Sequence, residues 1–267
     1  MTAAILHAAS KTPSVKRVVI TSSMVAIRDS SPPGSRAASG DNRLEMPPGP
    51  PYENQNMRYT ASKIASLKAV DDFMEKEKPA FTVVNIMPGF VVGRQELATS
   101  STDLLSSSNR ALLIPVTGGI LPYAGTGRFV SPTVSLEDVV GLHLGCLVSE
   151  KLKKGRNEWS FAIAGMEGGD YEDIAGIAGR LFPDAVRAGR LRFAREEERM
   201  KTGKVQIYKV DIKGVEEVLG RKLKGLEEQV REVVGQHLEL LGNSFMHTTD
   251  GYPFVLLKYV LIKIDEA

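Results

Sequence analysis

Two runs stand out along the chain because their apolar residues occupy neighbouring positions rather than alternating ones. Val15 to Thr21 and Phe81 to Met87 are both rich in β-branched residues. Runs of this length and composition are typical of strands buried on both faces of a parallel sheet. Between them, apolar residues recur at helical spacing from Arg58 to Lys76, and Pro79 ends the helix. The order of strand, helix and strand predicts a right-handed crossover unit.

The same pattern predicts further elements outside this unit. Ser135 is a suitable N-cap for a helix from Leu136 to Ser149. Clusters of proline, glycine and serine predict loops over residues 28–57 and irregular structure over residues 90–133. The remaining predictions are helices over residues 2–9, 171–181 (with Asp170 as the N-cap), Val215–Leu219 and Leu226–Leu241, and strands over Trp159–Ala164, Leu191–Phe193 and Val205–Val210.

Composition narrows the class of protein without adding a function. The chain has 267 residues, 25% of them charged, and a formal net charge of +2, as an ordinary globular protein does. No basic cluster is interleaved with aromatic residues, so we expect no nucleic-acid partner. The single cysteine, Cys146, excludes an intrachain disulfide and fits a reducing compartment. The most apolar stretch, residues 253–264, carries Lys258 and Lys263 and is too short to span a membrane. We therefore expect a cytoplasmic protein without a membrane partner.

A tyrosine and a lysine on the first long helix carry the candidate chemistry. Tyr59 and Lys63 are four residues apart and therefore lie on the same helix face. An ammonium group beside a phenol favours the phenolate, which makes a tyrosine more useful in acid–base chemistry near neutral pH. Ser23, just after the first predicted strand, can hold a substrate oxygen as an oxyanion donor does. Together with a hydride donor, these three residues would be sufficient to reduce a carbonyl group.

Four segments resemble the extended short-chain dehydrogenase/reductase family, also called the NAD-dependent epimerase/dehydratase family. Val15–Ser23 resembles the family's fifth strand, and Tyr59-Thr-Ala-Ser-Lys63 lies at the family's usual distance from it. Asn85–Gly93 resembles the segment after the sixth strand, and Val134–His143 resembles the start of a later family helix. The resemblance covers roughly residues 2–240. The subgroup that the chain most resembles is the dihydroflavonol-reductase-like aldehyde and ketone reductases.

The resemblance implies a role for each of several residues. It assigns catalysis to Ser23, Tyr59 and Lys63. It implies a nicotinamide cofactor, NADP or NAD with NADP slightly favoured, and a small-molecule carbonyl substrate. Tyr59 and Lys63 would also contact the cofactor. The other implied contacts are Pro88, Gly89, Phe90 and Val91 with the cofactor, and Met24 and Phe90 with the substrate. The implied reaction is hydride transfer between the nicotinamide and an aldehyde, ketone or alcohol.

The resemblance also implies an α/β fold with a partial Rossmann-like parallel sheet. Residues 1–88 and 134–165 would form the C-terminal part of the dinucleotide-binding domain. Residues 89–133 and 166–242 would form a smaller α+β substrate domain, and residues 243–267 resemble nothing in the family.

The family's glycine-rich phosphate loop has no match along the chain. Gly125-x-Gly127 and Gly165-x-x-Gly168-Gly169 lack the required context of strand, turn and helix. The first residues resemble the helix that precedes the family's fifth strand. The resemblance thus implies a chain without the family's first βαβ units, where that loop cradles the pyrophosphate.

Plainer interpretations of the same residues remain open. Tyr59 and Lys63 can be an ordinary pair on a half-exposed helix face, and Ser22 can serve local hydrogen bonds only. His143 and Cys146 are one helical turn apart and are interpreted as packing residues, because a metal site needs more than two ligands. No metal site is predicted.

Two other functions and the role of the last residues also remain open. A dehydratase or epimerase would use the same three residues, and a non-catalytic remnant or an interaction protein would keep them without using them. Phe254–Ile264 can be an added strand, a disordered tail, or a membrane-surface or partner-binding segment. The oligomeric state does not follow from the sequence.

Overall fold

Strands form two sheets in the parts of the chain that the computed structural model describes, which are residues 2–28, 37–119, 132–153, 158–165, 171–194, 209–243 and 260–264. The strands are β1 (Val15–Thr21), β2 (Thr82–Pro88), β3 (Phe90–Val92), β4 (Thr133–Ser135), β5 (Glu158–Ile163) and β6 (Val260–Ile264). Four of them form a sheet in the order β5-β2-β1-β6, and β3 pairs with β4 in a second, two-stranded sheet.

Helices cover both faces of the larger sheet and build a separate cluster beside it. In chain order they are α1 (Thr2–Ser10), α2 (Gln55–Glu77), α3 (Ser101–Leu105), α4 (Arg110–Leu113), α5 (Leu136–Val148), α6 (Tyr171–Leu181), α7 (Pro183–Arg187), α8 (Val215–Leu219) and α9 (Leu226–Asn243). Short 3-10 helices occupy Met24–Ala26, Ile114–Val116 and Glu150–Lys153.

The predicted crossover unit forms the centre of the larger sheet. β1 and β2 are parallel, from Arg17 opposite Thr82 to Thr21 opposite Ile86, and β5 adds to β2 in parallel. The side chains of neighbouring residues on β1 point to opposite faces of the sheet, as in any strand. Val18 packs with α1 and α2, whereas Val19 packs with α5. Both faces are therefore buried, which explains the apolar runs, and the predicted α/β fold with parallel strands is confirmed.

The helix α2 begins earlier than its apolar spacing predicts. The side chain of Asn54 accepts a hydrogen bond from the backbone N–H of Met57, so the helix starts at Gln55 instead of Arg58. It buries one stripe against the sheet and ends at Lys78, whose φ is 43°. The buried residues are Ala61, Ile64, Leu67, Val70 and Phe73. Because this stripe fixes the rotation of α2, it also fixes where Tyr59 and Lys63 point.

The other edge of the larger sheet is formed by the end of the chain. β6 pairs with β1 antiparallel, with Val260 opposite Ile20 and Ile264 opposite Val15. Residues 260–264 are therefore an added strand, one of the interpretations that the sequence leaves open. Residues 254–259 lie outside the described parts of the chain.

The prediction of irregular structure over residues 90–133 is wrong for part of that segment, which contains β3, α3 and α4. Ser100 and Asp103 form a capping box that starts α3. The side chain of Asn109 receives a hydrogen bond from Gly93 N and donates one to Gly93 O, which holds the segment against β3. These long-range and side-chain contacts stabilise short elements that a hydrophobic period does not reveal.

One other predicted strand is absent, and a second lies mostly outside the described parts of the chain. Leu191–Phe193 forms no strand, because Arg192 makes only an isolated bridge with Thr117. Of Val205–Val210, residues 205–208 lie outside the described parts, and Val210 bridges Ala38. The predicted N-cap Asp170 and the Gly125-x-Gly127 turn also lie outside them.

Separate hydrophobic clusters accompany the two predicted domains. One cluster joins α4, α6 and α9 through residues such as Leu112, Ile174 and Val230. The clusters around the larger sheet are distinct from it. Val215 of α8 packs with the sheet although it lies within the range predicted for the substrate domain. The domain boundaries stay a prediction.

Candidate active site

The ends of β1 and β2 lie side by side, and α2 passes over them. β1 ends at Thr21, and the backbone N–H of Ser22 donates to the carbonyl of Ile86 on β2 at 2.7 Å. Ser23 follows as the N-cap of the first 3-10 helix, with its hydroxyl accepting from Val25 N at 3.4 Å. Ser22 and Ser23 therefore bring two adjacent hydroxyl groups to the carboxyl edge of the sheet.

Lys63 connects α2 to this strand end. Its ammonium group donates to the carbonyl oxygens of Ser22 and Thr21, at 3.2 and 3.4 Å. The same nitrogen lies 5.7 Å from the centre of the Tyr59 ring. Tyr59 is 47% exposed. The arrangement holds a positive charge beside a tyrosine that ligands can reach.

Gly89 is required by a close approach between two segments. A Cβ atom at this position would lie 2.2 Å from the carbonyl oxygen of Pro132. The backbone N–H of Gly89 donates to Ile163 O, and that of Phe90 donates to Pro132 O. These contacts hold the turn between β2 and β3 in place.

Two cavities meet at Tyr59, which lines both of them. The first, which we call the lysine cavity, has a volume of about 290 Å³ and lies between α1, α2, the end of β1 and the middle of β2. The second, which we call the serine cavity, has a volume of about 120 Å³. Lining residues of the lysine cavity include Ile5, Thr21, Ser22, Tyr59, Lys63 and Asn85. Those of the serine cavity include Ser23, Met24, Tyr59, Pro88, Gly89 and Phe90.

Most residues singled out from the sequence therefore lie at these two cavities. Ser23 lies in the serine cavity, Lys63 lies in the lysine cavity, and Tyr59 separates the two. Val91 lies apart, because it packs against the hydrophobic cluster that joins α5 to the sheet. The functional roles of these residues stay a prediction.

Ser22 is a candidate that the sequence interpretation missed. Its hydroxyl is buried, makes no hydrogen bond within the described part of the chain, and belongs to a residue that lines the lysine cavity. The interpretation of Ser22 as a residue of local hydrogen bonds therefore does not hold for its side chain. The position directly before Ser23 was the only sequence signal.

His143 does more than pack, because it ties α5 to the end of β1. Its Nδ1 lies 2.7 Å from the carbonyl oxygen of Val139, and its Nε2 lies 2.8 Å from the hydroxyl of Thr21. A carbonyl only accepts, so Nδ1 carries hydrogen. Burial lowers the pKa of His143, opposed by the bond to Val139. The neutral ring then accepts from the Thr21 hydroxyl through Nε2.

Cys146, one turn after His143, is a buried thiol. Burial raises the pKa of Cys146 to about 12, so it stays a thiol at neutral pH. Its carbonyl oxygen accepts a hydrogen bond from the buried guanidinium of Arg17. These contacts agree with the interpretation of Cys146 as a packing residue.

The described residues offer neither a cluster of metal ligands nor a membrane span. No group of three or more histidine, cysteine and acidic side chains there could hold a metal ion. No described helix is long and apolar enough to cross a membrane. The expectation that Gly165-x-x-Gly168-Gly169 lacks a strand before it and a helix after it is wrong, because Gly165 follows β5 and α6 begins at Tyr171. Residues 166–170 lie outside the described parts.

Comparison with known proteins gives clear relatives, although no protein-family model matches the chain. A ketoreductase, CTB6 of Cercospora beticola, is 33% identical over 242 residues, which are 88% of this chain and 64% of the relative. An NAD-dependent epimerase/dehydratase, ALT6 of Alternaria alternata, is 32% identical over 244 residues, 85% of this chain and 64% of the relative. The chain thus spans less than two thirds of the length of these relatives.

Solved structures share the fold. The structure of Gre2 from Candida albicans in complex with NADPH matches with a TM-score of 0.68 and 23% identity, over 90% of this chain and 69% of that chain. At this identity the match supports the fold alone.

Proposed function

Since the chain belongs to the extended short-chain dehydrogenase/reductase family, we propose that it carries the catalytic residues of an NAD(P)-dependent carbonyl reductase. The observation that carries this proposal is the position of Tyr59 between two cavities, one lined by Lys63 and the other by Ser23. A hydride donor and a carbonyl in adjacent cavities would meet beside the same phenol.

The residues of the lysine cavity fit the nicotinamide and ribose end of such a cofactor. The cavity offers an ammonium group, the buried hydroxyl of Ser22 and the apolar side chain of Ile5. Its volume of about 290 Å³ lies near the lower end for small-molecule sites. This end of a dinucleotide fits better than the whole molecule. Bound there, the cofactor would supply the hydride that the side chains of a protein lack.

The chain's own residues then supply the proton and the orientation. The Ser23 hydroxyl would donate a hydrogen bond to the substrate oxygen, because it lines the serine cavity beside Gly89. As the carbonyl carbon receives the hydride, the electron pair of the C=O bond moves to this oxygen. The Tyr59 hydroxyl gives its proton to the oxygen, which yields the alcohol and leaves a tyrosinate. The Lys63 ammonium stabilises this tyrosinate until solvent returns a proton.

The names of the relatives support an aldehyde or ketone as substrate. CTB6 is named a ketoreductase, and a 29% identical relative from Sporidiobolus salmonicolor is named aldehyde reductase 2. ALT6 is named an epimerase/dehydratase, so a second candidate is an epimerase or dehydratase that uses the same three residues. A non-catalytic scaffold that retains these residues is the remaining alternative.

The test is oxidation of NADPH and NADH by the chain in the presence of a panel of aldehydes and ketones. We expect carbonyl-dependent oxidation, and a loss of about 10²- to 10⁴-fold in kcat for Tyr59→Phe, because the acid–base group is removed. Tyr52→Phe is the matched control, since Tyr52 precedes α2 and lines neither cavity.

Three outcomes separate the candidates. Equal turnover by the wild-type chain and Tyr59→Phe would contradict the proposed mechanism. Conversion of a nucleotide sugar without net oxidation of added NADPH would favour the epimerase or dehydratase. Folded protein without any turnover would favour the scaffold.

A further inference from the structure

Two neighbouring serines face two different cavities. Ser22 lines the lysine cavity and Ser23 lines the serine cavity. Both come directly after β1, which ends at Thr21, and the backbone of Ser23 is extended. In the mechanism proposed above, Ser23 holds the carbonyl oxygen, and the side chain of Ser22 takes no part in the proton transfer.

The main chain of Ser22 is fully occupied, whereas its hydroxyl is not. The N–H of Ser22 donates to Ile86 O at 2.7 Å, and its carbonyl accepts from Lys63 Nζ at 3.2 Å. The residue is 8% exposed, and its Oγ makes no hydrogen bond among the described residues. A buried hydroxyl in this state is unfavourable and calls for a partner from outside the chain.

The surroundings of this hydroxyl indicate the chemistry of that partner. Lys63 contributes only hydrogen-bond donors, whereas the Ser22 hydroxyl both donates and accepts. The amide nitrogen of Asn85 already donates to Glu158 at 3.1 Å. A sugar hydroxyl can accept from the ammonium group and exchange a hydrogen bond with the serine, which neither an apolar ring nor a second cation can do.

We propose that Ser22 is a ligand-binding residue of the lysine cavity, whose hydroxyl hydrogen-bonds the sugar of the nucleotide held beside Lys63. The inference rests on the proposed function and adds that the two serines have different roles. Ser22 contributes to affinity for the nucleotide, and Ser23 contributes to turnover of the carbonyl.

The test compares Ser22→Ala with Ser23→Ala in calorimetric titrations of the chain with NADPH. Loss of one neutral hydrogen bond predicts a Kd for Ser22→Ala about 3- to 10-fold above that of the wild-type chain. At saturating NADPH, the fall in its kcat should be smaller than the rise in its Kd. Ser23→Ala gives the opposite pattern, with an unchanged Kd for NADPH and a lower kcat.

Thermal unfolding without nucleotide gives a second readout that does not depend on activity. Ser22→Ala removes a hydroxyl that lacks a partner, so its Tm should equal or exceed that of the wild-type chain. A lower Tm would mean that the hydroxyl has a structural partner, and would overturn the inference. An unchanged Kd would overturn it as well. If the wild-type chain itself binds no NADPH, the proposed function fails and this inference fails with it.

Discussion

The lysine cavity and the serine cavity meet at one tyrosine but are built in different ways. Regular elements form the lysine cavity, since α1, β1, α2 and β2 all contribute to its wall. The serine cavity is built around a short 3-10 helix at Met24 and the tight turn at Gly89, with strand ends and one residue of α2 completing its wall. Sequence spacing predicts side chains on regular elements well, whereas a turn depends on close contacts that spacing does not encode.

The difference also bears on how each cavity is stabilised. Lys63 anchors the lysine cavity by hydrogen bonds to two backbone carbonyls, and His143 supports the same strand end from the opposite face. The serine cavity depends on the contact of Gly89 with Pro132. A substitution that removes the contacts of one cavity should therefore change the structure of that cavity more than the structure of the other.

The largest expected effect on stability is at the turn of the serine cavity. Gly89→Ala places a methyl group against the carbonyl of Pro132, and the backbone must shift to accommodate it. We expect a loss of about 1–3 kcal/mol in the free energy of unfolding, measured by urea denaturation, and a lower kcat. The control is Gly179→Ala, at an open position on α6, which should stabilise by about 0.5–1 kcal/mol. Similar stability of the two variants would contradict the account of the turn.

The support behind the lysine cavity is tested by removing one hydroxyl. Thr21→Val leaves Nε2 of His143 buried without the partner that lies 2.8 Å away. We expect a loss of about 1–2 kcal/mol in the free energy of unfolding, which is smaller than that for Gly89→Ala, and weaker NADPH binding because Thr21 lines the lysine cavity. Thr21→Ser keeps the hydroxyl and should restore most of both quantities. If Thr21→Val and Thr21→Ser have the same free energy of unfolding, the hydrogen bond to His143 does not contribute to stability.

A smaller effect is expected from pH. Burial lowers the pKa of His143 in the folded chain below its ordinary value of 6.5. As pH falls below 6.5, the unfolded chain takes up a proton before the folded one does, so folding is disfavoured progressively. The free energy of unfolding should fall by up to about 1.4 kcal/mol per pH unit from this group.

The matching variant for the pH experiment is His143→Gln, which stays polar and does not titrate. Urea denaturation at pH 6.5 and 5.5 should show a shallower loss of stability for this variant than for the wild-type chain. His237, whose pKa burial also lowers, titrates in both proteins and cancels from the comparison. Parallel losses in the two proteins would mean that His143 is not held neutral.

The sequence predicted the sheet and α2 because both follow from local periodicity. The apolar runs of β1 and β2 reflect burial on two faces, and the spacing of Tyr59 and Lys63 follows from one helical turn. It did not predict α3, whose capping box depends on side-chain hydrogen bonds. It also missed the role of His143, because Thr21 is 122 positions away in the chain.

Two further features, the Ser22 hydroxyl and the pairing of β6, also depend on contacts between residues that are far apart in the sequence. The Ser22 hydroxyl makes no hydrogen bond within the described part of the chain, and this can be recognised only from the three-dimensional positions of its neighbours. The pairing of β6 with β1 joins the last described residues to the first strand, and no local pattern specifies such a partner. Contacts between distant parts of the chain therefore account for what the spacing of residues left open.

The central claim, that the lysine cavity holds a nicotinamide nucleotide beside Tyr59, is tested most directly by calorimetry with NADPH and NADH. Lys63→Ala removes the ammonium group, and Lys68→Ala is the control, because Lys68 lies exposed on the same helix and pairs with Asp72 at 3.0 Å. We predict binding by the wild-type chain and by Lys68→Ala, and a Kd about 10- to 100-fold higher for Lys63→Ala. Folded wild-type chain that binds neither nucleotide at millimolar concentration would contradict the claim.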